Sequence, residues 1–158
     1  MKKSEIFFWL NISFILFLFG CGPDFNTDFD PPPVKGKLED IFPAEIGNLP
    51  VKLSRAKLNS PLIGFSAVYG VNYIVINSIL LPDKAAADEY FEHAIVPNID
   101  KMKNHSRGKF NGRWRASGTD DDGRVWFCWV NDRWVFVLNG SDNKYFKMGI
   151  NAFKYIEE

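Results

Sequence analysis

The chain has 158 residues with 19 basic and 19 acidic side chains, so it carries no net field to draw nucleic acid or an anionic membrane surface. At 46% hydrophobic it can bury one core, and at this length it cannot build two. No G-x-S-x-G, Walker-type glycine loop or G-x-G-x-x-G occurs, so catalysis has no motif to rest on, and a non-enzyme is expected.

The N-terminus opens with Lys2-Lys3, continues through an apolar run from Ile6 to Phe19 broken only by Asn11 and Ser13, and ends on Gly20. A charged start, a short apolar stretch and a small residue form the pattern of an export signal. The apolar run is shorter than the roughly 20 residues that span a bilayer. Gly22-Pro23-Asp24 then breaks a helix instead of extending it. A soluble signal peptide would more commonly end in Ala-x-Ala, which is absent.

The end of this segment, Leu18-Phe19-Gly20-Cys21, resembles the lipobox of bacterial lipoproteins, with Phe19 bulkier than the residue usual at its position. The resemblance implies that a transferase attaches diacylglycerol to the Cys21 thiol and that the lipoprotein signal peptidase cuts after Gly20. It further implies a cell-envelope protein, lipid-anchored to the membrane. Residue 22 is glycine, not the aspartate that retains such proteins at the inner membrane of enteric bacteria, which points to the outer membrane in a cell that has one.

Residues 1–20 are thus expected to be a lipoprotein signal peptide, and 21–37 the lipidated cysteine with a tether. That stretch lacks periodicity, and Pro31-Pro32-Pro33 stiffens it. Residues 38–158 are expected to form a single domain. With Cys21 acylated, Cys128 has no partner for a disulfide. Its setting, Val125 to Val130, reads as a small buried hydrophobe and not a nucleophile.

Leu38 to Pro50 reads as a lead-in segment with Ile41, Phe42, Ile46 and Leu49 as docking residues. Strands are expected over Val51–Leu58, Gly64–Tyr69 and Tyr73–Leu81, the last two joined by a hairpin at Gly70-Val71-Asn72. Pro82-Asp83 stops the third strand and caps a helix whose apolar face is Ala87, Tyr90, Phe91, Ala94 and Ile95. Pro97 ends or kinks that helix, or Ile99 and Met102 prolong it. Further strands follow over Arg107–Ser117, Arg124–Val130 and Trp134–Asn139. Ser141 or Asp142 caps a last helix bearing Phe146, Ile150, Phe153 and Ile156.

At an offset of 59 the halves match at Gly64 and Gly123, Asp83 and Asp142, Phe91 and Ile150, and Ala94 and Phe153. Both then read strand-strand-strand-helix, either as a duplicated unit or by coincidence. The expected fold is α+β, a mostly antiparallel sheet with the helices gathered on one face.

Two features could carry function. Read as one strand, Arg107–Ser117 places Arg107, Lys109, Arg113 and Arg115 on one face and Phe110 and Trp114 on the other, and no acid occurs between Asp100 and Asp120. Such a stripe would bind an anionic partner such as lipid headgroups, lipopolysaccharide phosphates or a glycan. It would equally be a solvated face, or an edge strand guarded by charge. The second feature is the run of strands that are apolar at nearly every position, Val125–Val130 and Trp134–Leu138. Helices on one face would leave the other to be covered by a partner, a second copy, a hydrophobic ligand or the chain itself.

Other candidates are weaker. Trp114, Trp126, Trp129 and Trp134 at strand spacing read as core before they read as a sugar platform. Asp120-Asp121-Asp122-Gly123 lacks the spacing of a calcium loop, and His93 and His105 fit no zinc pattern, so no metal and no cofactor is expected. The expected role is therefore non-catalytic binding or assembly at the envelope, with the membrane as partner through the lipid anchor. An envelope protein or a second copy would be a further partner. The alternatives are a carrier or sensor of a hydrophobic or anionic ligand, and an enzyme.

Overall fold

The computed structural model describes residues 24–35, 37–56 and 62–158; Cys21 and the expected signal peptide over residues 1–20 lie outside the described residues. Within them, alternation and turn chemistry produce β1 (Glu45–Ile46), β2 (Leu49–Arg55), β3 (Ile63–Tyr69), β4 (Ile74–Leu80), β5 (Lys103–Phe110), β6 (Arg113–Thr119), β7 (Val125–Asn131) and β8 (Trp134–Gly140). They join in one antiparallel sheet in the order β1-β2-β3-β4-β8-β7-β6-β5. The turns use residues that tolerate positive φ: Gly70 and Asn72 between β3 and β4, Gly123 before β7, and Asp132 before β8. The central β4–β8 pair is long-range, with Ile76 opposite Leu138. The expected α+β class with an antiparallel sheet is what forms.

One helical rod runs from α1 (Lys84–Tyr90) through a π-helical turn (Phe91–Ile95) to α2 (Val96–Ile99). Asp83 caps it by accepting from the Ala86 amide at 2.8 Å. Pro97 does not stop the rod. The wide turn comes just before it, where a proline without an N–H and with a bulky ring cannot continue the regular ladder. The last helix, α3 (Asn143–Ala152), is capped by Asp142, which accepts from the Tyr145 amide at 2.9 Å.

The helices are not gathered on one face. The α1–α2 rod packs Ala87, Phe91, Val96 and Ile99 against Ile79, Cys128, Val130 and Val135. Helix α3 packs Phe146, Ile150 and Phe153 against Ile76, Trp129, Phe136 and Leu138. These two sets alternate along the same strands, so they are opposite faces of the sheet. Every residue of β8 is buried for this reason. Each helix has one apolar stripe and can cover one face only. Helix α3 approaches closely because Gly140 lacks a side chain: a Cβ there would meet the Phe146 amide nitrogen at 2.2 Å.

This placement also bears on the repeat. Each half has four strands and then a helix, not the expected three, and β4 and β8 lie side by side antiparallel. The rotation that exchanges two such strands keeps each face of the sheet on its own side. The two helices lie on opposite sides, so the units differ in hand and no duplicated unit is recovered.

Residues 24–35 are not a free tether. They form a strap across the α3 face, beginning with Phe25, which is 8% exposed and edge-on to Phe127 at 4.8 Å between ring centres. Asn26 and Glu157 exchange both backbone hydrogen bonds, at 2.8 and 2.9 Å. Farther along, Asn131 Nδ2 donates to the Phe29 carbonyl at 2.7 Å and Trp134 Nε1 to the Pro32 carbonyl at 3.0 Å. An extended proline-rich chain makes no ladder of its own, so its carbonyls are free to accept from buried donors. The lead-in residues Ile41, Phe42 and Ile46 complete this cover. The domain therefore starts well before residue 38.

Candidate functional site

The cationic segment is a hairpin, not a strand. Asn111 (φ 48°) and Gly112 (φ 73°) both occupy the left-handed region, the geometry of a two-residue turn that matches strand twist. Chain reversal there changes which residues share a face. Arg107 pairs with Ala116 and Lys109 with Trp114, which places both cations on the face covered by the α1–α2 rod. Arg115 pairs with Trp129, so Arg113 and Arg115 lie on the strap face. The single stripe of Arg107, Lys109, Arg113 and Arg115 thus becomes two pairs on opposite faces.

Each of the four also meets an acid outside the hairpin. Arg107 Nε lies 2.7 Å from Asp100, and Lys109 Nζ lies 3.5 Å from Asp88 and 5.1 Å from the Trp114 ring centre. On the other face Arg113 Nη1 pairs with Asp28 at 3.2 Å and donates to the Thr27 carbonyl at 2.9 Å. Arg115 Nε donates to Thr27 Oγ1 at 3.0 Å, and its Nη1 reaches Asp24 at 3.5 Å. Burial pulls the Arg115 guanidinium below its ordinary value, while Asp24 and Asp28 oppose that pull. Arg113 and Arg115 therefore act as a clamp on the strap. Arg107 and Lys109 remain about half exposed on the edge strand β5, where the charge also blocks edge pairing.

The other candidates fall into place in the core or in turns. Cys128 is buried on the rod face, and burial pushes its thiol up, away from the reactive thiolate. Trp129 and Trp134 are fully buried, and Trp114 stacks on Phe91 at 5.8 Å. Asp120 is used up by its own turn: Oδ1 accepts from the Asp122 and Arg124 amides, and Oδ2 from Trp126 Nε1. His93 Nδ1 donates to the Glu89 carbonyl and His105 Nδ1 to the Met102 carbonyl. Among the described residues no group of three His, Cys, Asp or Glu side chains could hold a metal ion, and no helix is long and apolar enough to cross a membrane.

Both apolar sheet faces are filled by the chain itself, one by α3, the strap and the lead-in residues, the other by the α1–α2 rod. The functionally informative element that periodicity misses is the strap. Its sequence signal is Phe25 and Phe29, two large aromatics that a solvated spacer has no use for.

No protein family and no curated protein matches the chain. Among solved structures, a GTP-binding regulator from Thermotoga maritima is similar over 70% of this chain and 81% of its own, at 10% identity and a TM-score of 0.46. A likeness this loose carries no argument about function.

Proposed function

We propose that the protein is a bacterial envelope lipoprotein, anchored through acylated Cys21, whose single α+β domain serves a non-catalytic binding or assembly role at the membrane surface. The observation that carries this reading is the sequence Leu18-Phe19-Gly20-Cys21 behind a charged start and a short apolar run. A diacylglyceryl group brings two acyl chains, which anchor a protein stably where one would not. Glycine at residue 22 favours the outer membrane in a cell that has one.

A non-catalytic role is supported by how the ionisable side chains are spent. The arginines and Lys109 of the hairpin close ion pairs, Asp120 closes a turn, and the Cys128 thiol is sealed in the core. The filled faces remove the apolar argument for a hydrophobic carrier, which leaves recognition to the domain's surface.

The test is incorporation of labelled fatty acid into the full chain expressed in a bacterial host, with and without an inhibitor of the lipoprotein signal peptidase. Expected are a labelled mature band, accumulation of the longer lipidated precursor under inhibitor, and loss of label in Cys21→Ser. An unlabelled chain that is processed regardless of inhibitor would sink the lipoprotein reading.

A further inference from the structure

Among the described residues the large exposed apolar side chains are Val34, Ile63, Val71, Tyr73 and Phe110. Phe110 differs from the rest in its place: it ends β5 at the hairpin tip, and Arg115 links it to the start of the strap. The Arg115 guanidinium carbon lies 4.5 Å from the Phe110 ring centre, while its Nη1 lies 3.5 Å from Asp24. Asp24 is separated from Cys21 by Gly22 and Pro23 alone.

Three peptide steps reach about 11 Å at full extension. Asp24 is itself fixed to the domain, because Phe25 next to it is buried and Asn26 is bridged to Glu157. An anchor at Cys21 therefore leaves no slack. It would hold the surface around Asp24 within about 11 Å of the headgroups and leave the hairpin tip as the nearest apolar projection.

We propose that the tip of the β5–β6 hairpin is the domain's membrane-contact surface, with the Phe110 ring seated among the lipid headgroups. The proposal rests on the lipoprotein reading above. An aromatic ring suits this boundary, and Lys109, next to it in the chain on the other face of the hairpin, has its side chain 46% exposed. Its partner Asp88 also pairs with Lys84 at 3.6 Å, so Asp88 keeps a cation when Lys109 turns to a lipid phosphate.

The same geometry makes a control. Val71 sits in the β3–β4 turn at the opposite end of the strands, where Ile74 pairs with Gly140 and Gly140 with Val125. With four strand spacings from β4 to β5 and a strand's length between the two ends, it lies about 25–30 Å from Phe110.

The experiment uses the full mature protein in vesicles of phosphatidylethanolamine and phosphatidylglycerol, with an environment-sensitive fluorophore on Phe110→Cys or on Val71→Cys. Cys128 is buried and an acylated Cys21 has no free thiol, so one fluorophore per chain attaches. Expected are blue-shifted emission at 110 and quenching by headgroup-depth spin-labelled lipid at least threefold stronger there than at 71. Equal quenching at the two positions, or stronger quenching at 71, overturns the proposed contact while the anchor stands. A second fluorophore per chain, on an unacylated Cys21, overturns the anchor and the contact with it.

Discussion

Phe25→Ala separates a strap from a spacer. The ring is 8% exposed and meets Phe127 and Phe146 edge-on, with centres at 4.8 and 5.9 Å. Burying a phenylalanine contributes about 1.5–3 kcal/mol, and edge-to-face pairing adds about 0.5–1.5 kcal/mol. A phenylalanine truncated in a rigid core costs about 3–5 kcal/mol, but a strap can lift locally, which limits the loss to its own docking energy. About 3 kcal/mol is therefore expected, or roughly 10 °C in Tm for a domain of this size. Urea and thermal unfolding of residues 21–158, followed by tryptophan fluorescence, measures it. Val34→Ala, at a half-exposed position of the same strap, should stay within about 0.5 kcal/mol of wild type. If Phe25→Ala also stays within about 0.5 kcal/mol, the strap carries no stability and residues 21–37 are a spacer after all.

Three further perturbations test other parts of the structure. Asp142→Ala removes the acceptor for the Tyr145 amide and should cost about 0.5–2 kcal/mol by urea unfolding, with Asp142→Asn recovering most of it. Gly140→Ala drives a Cβ into the α3 backbone at 2.2 Å and should cost about 3 kcal/mol or abolish folding, read by circular dichroism and yield. The Cys128 thiol should resist modification until the chain unfolds. Its folded-state value lies above the ordinary 9.0, so the unfolded chain ionises first: its contribution is whole below pH 9.0 and falls as pH rises beyond. In a Cys21→Ala background, Cys128→Ala should lose about 1.4 kcal/mol less than its parent between pH 8 and pH 10. Identical pH profiles would mean that the thiol reaches solvent in the folded state.

What could be read locally and what could not divide along a physical line. Asp83 and Asp142 announce their helices because a cap is a contact made three residues away, and the β3–β4 turn at Gly70 and Asn72 declares itself through positive φ. Burial of Cys128, Trp129 and Trp134 follows from unbroken apolar runs. The Asn111-Gly112 turn was equally legible, since that dipeptide is a strong hairpin signal. It was masked by a period-two pattern that runs straight through the turn from Arg107 to Ser117.

Local sequence alone thus determined the caps, most of the turns, the antiparallel α+β class and the buried strands. Only the tertiary structure decided which acid meets which cation, that the helices take opposite faces, and that residues 24–35 are a strap. Arg113 and Arg115 find Asp28 and Asp24 across more than eighty residues of chain. Nothing within a few positions of either arginine encodes that match. The physical reason is range: propensity, capping and alternation act within one turn or one strand, whereas coverage of a sheet that is apolar on both faces is a demand of the whole domain. The chain meets that demand with its own helices and strap.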